Sequence, residues 1–123
     1  MWSFRYITKK MKYSESLKKN EDFSLVYKTG KYAADKVMVL HVKKNGSEKN
    51  RLGISVSKKV GNSVVRHRIR RLVKEAYRLN EEKFRKGYDL VFSARADAKD
   101  CTYFIIESVI CRLMETTGMI IKE

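Results

Sequence analysis

The apolar positions of this chain alternate in some segments and follow a helical spacing in others, which predicts an α+β fold. The clearest alternation runs from Arg51 to Ser57, where Leu52, Ile54 and Val56 would face a core. The intervening positions include Gly53 and two serines, so this strand would leave room on its outer face.

Two other segments are apolar and rich in β-branched residues, as strands are. They run from Val37 to Lys44 and from Tyr88 to Ala94, and Asn45-Gly46 after the first predicts a turn. A weaker strand pattern covers Lys31 to Ala33. Together with the alternating segment, these make four candidate strands.

The longest predicted helix runs from Ser63 to Asn80, with Asn62 or Ser63 as its N-cap after Gly61. Its apolar residues recur at spacings of four and three, which places them on one face that must pack against the sheet. This predicted apolar stripe consists of Val65, Ile69, Leu72, Ala76 and Leu79.

Two shorter helices complete the pattern. The first would run from Asn20, as N-cap, to Thr29 and end at Gly30. The second would be capped by Asp100 and ended by Gly118. Its inward face is predicted to consist of Ile106, Val109, Ile110 and Leu113.

Length and composition predict one folded domain. With 123 residues, of which 43% are hydrophobic, the chain is large enough for a single core. We expect residues 1–11 to form a disordered extension, residues 12–119 the domain and residues 120–123 a tail. No apolar run approaches the roughly 18 residues that span a bilayer, and residues 1–10 do not resemble a secretory signal.

The two cysteines, Cys101 and Cys111, lie ten residues apart and form no C-x-x-C pair. Together with His41 and His67 they could in principle provide four zinc ligands, but the spacing fits no standard site. Buried free thiols are the favoured interpretation, and a cytoplasmic location is expected on that ground. We therefore expect no metal site in the protein itself.

Positive charge is concentrated in one part of the chain. The segment from Lys49 to Lys74, here named the acid-free segment, contains nine basic residues and no acid, whereas the whole chain has 28 basic and 14 acidic residues. A local field of this kind binds polyanions by neutralising phosphates and releasing counterions. Nucleic acid is therefore the expected partner.

The basic residues of the long helix lie mostly on the side away from the apolar stripe. They are Arg66, His67, Arg70, Arg71, Lys74 and Arg78, with Arg68 next to the other edge of the stripe. Such a face is often only solvated surface. The absence of nearby acids, the bidentate geometry of arginine and the free N–H groups at the start of the helix favour phosphate binding instead.

A second candidate site involves Phe23 and Tyr27 of the first helix. If they lie beside the Gly- and Ser-rich face of the sheet, they would form a platform on which single-stranded bases stack. They could equally be core residues, and periodicity does not decide between the two. No catalytic arrangement is visible, because His41 and His67 are isolated and no acids cluster near the basic surface.

One segment resembles the motif of the bacterial ribonuclease P protein family: Lys58 to Leu72, which reads KKVGNSVVRHRIRRL. Three other segments fit this family in order and spacing, namely Leu17 to Phe23, Gly53 to Ser57, and Ala94-Arg95. The resemblance covers about residues 12–118. It implies a two-layer α-β sandwich of order αβββαβα, with a four-stranded mixed sheet and an unusual left-handed crossover.

The resemblance also implies a function. Proteins of this family assist a catalytic RNA that removes the 5′ leader from precursor transfer RNA, and divalent metal ions (Mg²⁺) act in the RNA rather than in the protein. The chain would then be a non-catalytic subunit whose partners are the RNA subunit and the precursor. Neither a membrane nor an obligate protein partner is implied.

Site residues are implied by position in the family motif. Contacts to the RNA subunit are implied for Lys58, Arg66, His67, Arg68, Arg70, Arg71 and Lys74. Contacts to the single-stranded leader are implied for Phe23, Tyr27, His41 and Lys59. Two of these residues depart from the family pattern: His67 replaces the asparagine of an Arg-Asn-Arg triplet, and His41 stands where an aromatic Tyr or Phe is common.

Two other classes of function remain open from the residues alone. One is a ribosomal or RNA-chaperone protein of similar fold, whose basic face neutralises structured RNA. The other is a DNA-binding regulator with a helix in the major groove, which would need a short helix a few residues before Asn62. The residues there alternate as a strand, which disfavours this second alternative.

Overall fold

A computed structural model of the chain describes residue 11 and residues 13–122, and this part forms five strands and three helices. In chain order they are β1 (Ser14–Ser16), α1 (Asn20–Thr29), β2 (Lys31–Ala34), β3 (Met38–Lys44), β4 (Asn50–Ser55), α2 (Ser63–Asn80), β5 (Tyr88–Ala94) and α3 (Tyr103–Thr116). Short 3₁₀ turns at Glu81–Lys83 and Ala96–Asp100 precede β5 and α3. The predicted α+β class is confirmed, and the extension predicted for residues 1–11 lies outside the described residues except for residue 11.

The strands form one mixed sheet in the order β1-β4-β5-β3-β2. β4 is parallel to both β1 and β5, while the β5-β3 and β3-β2 pairs are antiparallel. Because β4 and β5 are parallel neighbours, the chain must return from one end of the sheet to the other between them. α2 lies in this crossover, as the resemblance implies.

β1 is a strand that the sequence pattern did not predict. It consists of the three residues Ser14–Ser16 and contains no apolar residue, so no hydrophobic alternation marks it. Parallel pairing with β4 holds it at the edge of the sheet, and the pairing continues where Leu17 N–H donates to Leu52 O at 2.8 Å. The prediction of a four-stranded sheet is therefore wrong by this one strand.

One face of the sheet is covered by α2 and α3. Leu40, Leu90 and Phe92 of the central strands are fully buried on this side. The inward residues predicted for the last helix are confirmed, because all are buried: Ile106, Val109, Ile110 and Leu113. The sheet and these two helices form the predicted α-β sandwich. The main core lies between them, and its apolar burial stabilises the fold.

The opposite face of the sheet is only partly covered, and α1 covers it. Val26 of α1 is fully buried with Val91 of β5 and Leu17, and the three form a second, small hydrophobic cluster. Phe23 packs against this cluster but is only half-buried. α1 thus leaves part of this sheet face accessible.

Most predicted elements have bounds close to the observed ones. α1, α2 and β5 match their predictions, β3 begins at Met38 rather than Val37, and β2 extends to Ala34. β4 covers Asn50–Ser55 rather than 51–57. The pattern therefore located each of these elements to within two residues.

The helix caps are predicted less well than the helices. Asn62 caps α2 as expected, because its side chain accepts from a backbone N–H of the first turn at 3.0 Å. Asn20 does not cap α1: it is already the first helical residue, and Lys19 takes the N-cap position without a side-chain bond. Asp100 does not cap α3, because it ends a 3₁₀ turn and Thr102 caps the helix instead.

α2 is turned about its axis relative to the prediction. Leu79 of the predicted stripe is 48% exposed, and two further members of the stripe are only half-buried. The buried residues are Ile69, Val73, Ala76, Tyr77 and Asn80. Tyr77 can be buried because its hydroxyl has partners in Ser14 of β1, at 2.8 Å, and Asn50, at 3.1 Å. Since β1 was not predicted, nothing in the pattern favoured Tyr77 as a core residue.

Candidate nucleic-acid interface

A cleft of about 410 Å³ lies between α1, the end of β4 and α2. It is lined by Asn20, Phe23, Ser24, Tyr27, Ile54, Ser55, Val56 and Arg70. The α1 residues in this set recur at helical spacing, so they form one face of that helix. The cleft thus joins two aromatic rings, a strand end with a small polar side chain, and one arginine.

Gly53 allows Phe23 to lie directly on the sheet. A Cβ atom at position 53 would come within 2.6 Å of the Phe23 Cζ atom, so no side chain fits there without moving the ring. Phe23 also packs against the small hydrophobic cluster while lining the cleft. Phe23 is therefore packed against core residues and also forms part of the cleft wall.

Three aromatic rings form a row beside the cleft. The ring centroids of Tyr27 and His41 lie 4.9 Å apart and the rings are nearly perpendicular, at 86°. Tyr32 of β2 stacks on His41, with centroids 5.6 Å apart and ring planes at 27°. Tyr27 and Tyr32 are 40% and 68% exposed. Sequence reasoning missed Tyr32, because only the sheet register that pairs it with His41 brings it to the site.

His41 lies in the middle of this row and is half-buried. Its Nδ1 makes no hydrogen bond to any described residue. Burial lowers the pKa of His41 below its ordinary value, because the charged ring would lose hydration. At neutral pH the ring is therefore uncharged, and it provides a flat polar surface between two tyrosines rather than a cation.

The basic face of α2 is accessible. Most of its predicted phosphate-binding residues are exposed, namely His67, Arg68, Arg70, Arg71 and Lys74. Arg66 is half-buried, and its Nε has no hydrogen-bond partner in the described part of the chain. No acid among the described residues forms an ion pair with any of these side chains. Positive charge that is not compensated in this way attracts polyanions.

The basic residues of α2 are divided between separate grooves. Arg70 lines the cleft beside Phe23 and Tyr27, although the resemblance assigns it to the RNA subunit. A second groove, of about 690 Å³, is lined by Ser63, Val64, His67, Arg68, Arg71 and Leu72. Lys74 lines a third groove, beside β1. The division arises because successive helical residues are turned by about 100°, so that neighbours in sequence face different grooves.

Arg68 has a structural role as well. Its Nη2 donates to Cys101 O at 2.8 Å, and its Nη1 donates to Lys99 O at 3.3 Å. These carbonyls lie just before α3, so Arg68 holds α2 to the start of that helix. A substitution at Arg68 would therefore change packing as well as RNA binding.

Two of the nine basic residues in the acid-free segment are paired with acids from elsewhere in the chain. Arg51 makes a bidentate ion pair with Asp89, at 2.6 and 2.8 Å, and contacts Asp22 of α1 at 3.3 Å. Lys49 lies 3.6 Å from Glu15. Arg51 therefore finds its carboxylate partners outside the acid-free segment, and it fastens α1 to the sheet.

Lys58 and Lys59 are exposed and lie in the turn between β4 and α2. They follow the cleft residue Val56 by two and three positions, and buried Val60 anchors the turn in the main core. Neither lysine lines the cleft itself. Their roles towards RNA stay predictions from the motif.

The four residues implied for the leader are not all brought together. Phe23 and Tyr27 line the cleft, and His41 adjoins it through its ring contact with Tyr27. Lys59 is not among the residues that line the cleft. Arg70 and Tyr32 join the site instead, on geometry that the sequence did not reveal.

Two kinds of feature are absent from the described residues. In residues 11 and 13–122, His, Cys, Asp and Glu form no group of three or more that could hold a metal ion. No helix in the same part of the chain is long and apolar enough to cross a membrane. Both cysteines are free, Cys101 buried and Cys111 half-buried, which confirms the interpretation of Cys101 as a buried thiol.

Comparison with known proteins gives a consistent match along the chain. The model of one protein family, described as Ribonuclease P, matches residues 11–118. The ribonuclease P protein component of Clostridioides difficile is 50% identical over 107 residues, which cover 86% of this chain and 94% of that protein. The protein of the same name from Alkaliphilus metalliredigens is 47% identical over 110 residues, which cover 89% of this chain and 99% of the relative.

The fold leads to the same family. A solved structure of the Staphylococcus aureus RNase P protein aligns with a TM-score of 0.80 at 32% identity, covering 89% of this chain and 99% of that one. Sequence and fold therefore agree with the resemblance carried by the motif from Lys58 to Leu72. The chain belongs to the ribonuclease P protein family, the protein components of an endoribonuclease that processes transfer RNA.

Proposed function

We propose that this chain is the protein subunit of a bacterial ribonuclease P, and that it holds the 5′ leader of precursor transfer RNA in its cleft while a catalytic RNA removes that leader. The observation that carries the proposal is the cleft in which Arg70 of the basic helix meets Phe23 and Tyr27 of α1. A single-stranded leader offers phosphates and unstacked bases, which suit an arginine and aromatic rings respectively. The composition of the cleft therefore supports leader binding.

The outer side of α2 is suited to structured RNA. His67 and Arg71 are exposed on a groove outside the cleft, and no acid among the described residues pairs with them. Charge-assisted bonds from arginine to phosphate are strong and often bidentate. We assign this side to the RNA subunit, together with the contacts implied by the motif for Lys58, Arg66 and Lys74. One helix would then contact two RNAs on different sides.

The protein contributes binding rather than bond cleavage in this proposal. Hydrolysis of a phosphodiester is assisted by metal ions that stabilise the attacking and leaving oxygens. In the proposed holoenzyme these are Mg²⁺ ions held by the RNA, and the protein supplies positive charge and stacking surfaces that position the precursor. Its partners are the RNA subunit and precursor transfer RNA, its location is the cytoplasm, and no other protein is required.

Reconstitution tests the proposal. The chain is mixed with a bacterial ribonuclease P RNA, and cleavage of precursor transfer RNA is measured at a Mg²⁺ concentration too low for the RNA alone. We expect removal of the 5′ leader to depend on the protein, because neutralised phosphates reduce the need for divalent ions. A general RNA chaperone would not confer this cleavage on the RNA subunit.

A charge-reversal variant tests the groove assigned to the RNA subunit. Arg71→Glu reverses one exposed charge in the groove assigned to the RNA subunit without touching the core. It should require a higher protein concentration for the same cleavage, while circular dichroism remains that of the original chain. A folded original chain that leaves cleavage at the level of the RNA alone would contradict the proposal.

A further inference from the structure

We infer that Tyr32 is an additional stacking position for a leader base, at the β2 end of a groove that continues from the cleft across the sheet. The inference rests on the proposed function, because it needs a single-stranded leader in the cleft. It assigns a role to a residue that neither the motif nor the helical pattern singles out.

Tyr32 belongs to a line of residues that crosses four strands. Register pairs Gly53 with Val91, Val91 with His41, and His41 with Tyr32, so these side chains lie on the same sheet face. α1 covers most of the line, since Phe23 lies on Gly53 and the small hydrophobic cluster includes Val91. At its β2 end the line leaves the cover of α1, and Tyr32 is 68% exposed there.

The adjacent line of residues has small side chains and forms a floor. It consists of Ser55, Ser93, Val39 and Ala34, paired in register across β4, β5, β3 and β2. Ser55 lines the cleft, and the Tyr27 hydroxyl lies 3.3 Å from Ser93 Oγ. The floor therefore runs from the cleft past Tyr27 to the edge of the sheet. Three interstrand spacings amount to about 14 Å, which is about the length of four stacked nucleotides at roughly 3.4 Å each.

The ring of Tyr32 is held in one orientation by His41 and still has exposed surface on which a base could stack. Its stacking on His41, at 27° between planes, fixes the ring beside the floor. Within the described residues, Tyr32 has His41 as its single ring contact, and the Tyr32 hydroxyl has no hydrogen-bond partner. One exposed tyrosine on an edge strand would by itself be ordinary. Here, however, the exposed ring continues a row that begins at Tyr27, at the end of a groove beside a strongly basic helix.

The occupant that fits this arrangement is single-stranded RNA. The chain has a formal net charge of +14, so a polyanion is attracted to it from a distance. An aromatic ring stacks on any of the bases, because every base has a π face. Tyr32 should therefore increase affinity for longer leaders without selecting their sequence.

The test compares Tyr32→Ala with Tyr32→Phe in the reconstituted holoenzyme. Dissociation constants are measured for precursor transfer RNAs whose leaders are lengthened one nucleotide at a time, and for mature transfer RNA. We expect Tyr32→Ala to bind short-leader and mature RNAs normally and to lose at least about fivefold in affinity at long leaders. A fivefold loss corresponds to about 1 kcal/mol, the lower end of the range for one stacked base. Tyr32→Phe, which keeps the ring, should bind like the original chain.

A parallel variant, Tyr27→Ala, separates this inference from the proposed function. If Tyr27→Ala loses precursor affinity but Tyr32→Ala does not at any leader length, the role of Tyr32 is refuted and the leader cleft stands. If both variants bind every precursor normally, the leader cleft is refuted as well. A Tyr32→Ala protein that melts early, or that loses mature and precursor RNA equally, would show a structural role and overturn the inference.

Discussion

The two faces of the sheet have different surroundings although they belong to the same strands. On the side of α2 and α3, Leu40, Leu90 and Phe92 are fully buried in the main core. On the other side, alternate positions of the same strands include Ser55 and Ser93, which are half-buried beside the cleft. The first face consists of close-packed apolar side chains, and the second has small polar side chains and partly exposed rings.

This difference separates stability from recognition. Because side chains alternate between the faces with a period of two, substitutions one residue apart act on different properties. A change on the packed face should lower the free energy of unfolding, and a change on the cleft face should lower RNA affinity. Phe23 is an exception, since it packs against the small hydrophobic cluster and also lines the cleft, and a side chain at Gly53 would affect both through the Phe23 ring.

The largest expected effect is on the packed face. Phe92→Ala should lower the free energy of unfolding by about 3–5 kcal/mol, because it leaves a cavity in the main core. Tyr32→Ala, which removes a ring of comparable size from the opposite face, should change it by no more than about 0.5 kcal/mol. Urea denaturation of both variants measures the contrast. Equal losses would mean that the two faces do not differ in this way.

Gly53→Val should affect both properties. A side chain at this position meets the Phe23 ring at 2.6 Å, and the backbone of Gly53 is not in the left-handed region, so the cost arises from the ring and not from the backbone. We expect a loss of about 1–3 kcal/mol in unfolding free energy, typical of overpacking, and a weaker preference for precursor over mature transfer RNA. Leu52→Val, on the packed face of the same strand, serves as the control: it should also lower the unfolding free energy but should retain the preference for precursor. A Gly53→Val protein with normal precursor preference would show that the position of Phe23 does not matter for the leader.

The next effect is electrostatic and concerns the outer side of α2. Arg71→Ala should reduce the slope of log affinity for the RNA subunit against log salt concentration by about 0.7–0.9, the contribution of one phosphate contact. Arg112→Ala is a matched control, because Arg112 lies on α3 and is paired with Asp35 at 2.6 Å. It should leave the slope unchanged. Identical slopes for the two variants would remove the reason to assign RNA binding to α2.

The smallest effect is on pH dependence and involves His41. Burial lowers the pKa of His41 in the folded protein below the ordinary value of 6.5. The unfolded chain therefore takes up the proton first as the pH falls, so this residue's contribution is fully present above about pH 6.5 and is lost below it. His41→Gln should show a smaller decrease in unfolding free energy between pH 7.5 and 5.5 than the original chain. An equal decrease in both proteins would show that the burial of His41 has no energetic consequence.

Much of the packed side of the molecule was predictable from the sequence, because buried apolar residues recur with the period of the strand or helix that contains them. The inward face of α3 and the bounds of α2 follow from apolar spacing alone. The buried face of α2 did not follow, because Tyr77 is held by hydrogen bonds with Ser14 and Asn50. A polar three-residue strand has no hydrophobic period, so neither β1 nor its effect on Tyr77 is visible in the sequence.

The candidate site was predictable only in part. The motif pointed to the basic helix and to Phe23 and Tyr27, which the structure places in one cleft wall. It did not show that Arg70 joins them, since that depends on the rotation of α2, nor that Tyr32 does, since that depends on strand register. Charge counting along the sequence also missed the pairing of Arg51 with Asp89, which are 38 residues apart. Each of these contacts joins distant segments, and local patterns do not encode them.

The most direct test of the account compares Tyr27→Ala with Arg71→Ala in the holoenzyme, measuring affinity for precursor and for mature transfer RNA alongside assembly with the RNA subunit. Tyr27 lines the cleft and Arg71 lies on the other groove of the same protein. We predict that Tyr27→Ala weakens precursor binding by about 1–3 kcal/mol, the value of one stacked base, and leaves mature binding and assembly unchanged. Arg71→Ala should weaken assembly and leave the preference for precursor intact. If both variants lose assembly and precursor binding alike, the separation of the cleft from the outer side of α2 is contradicted.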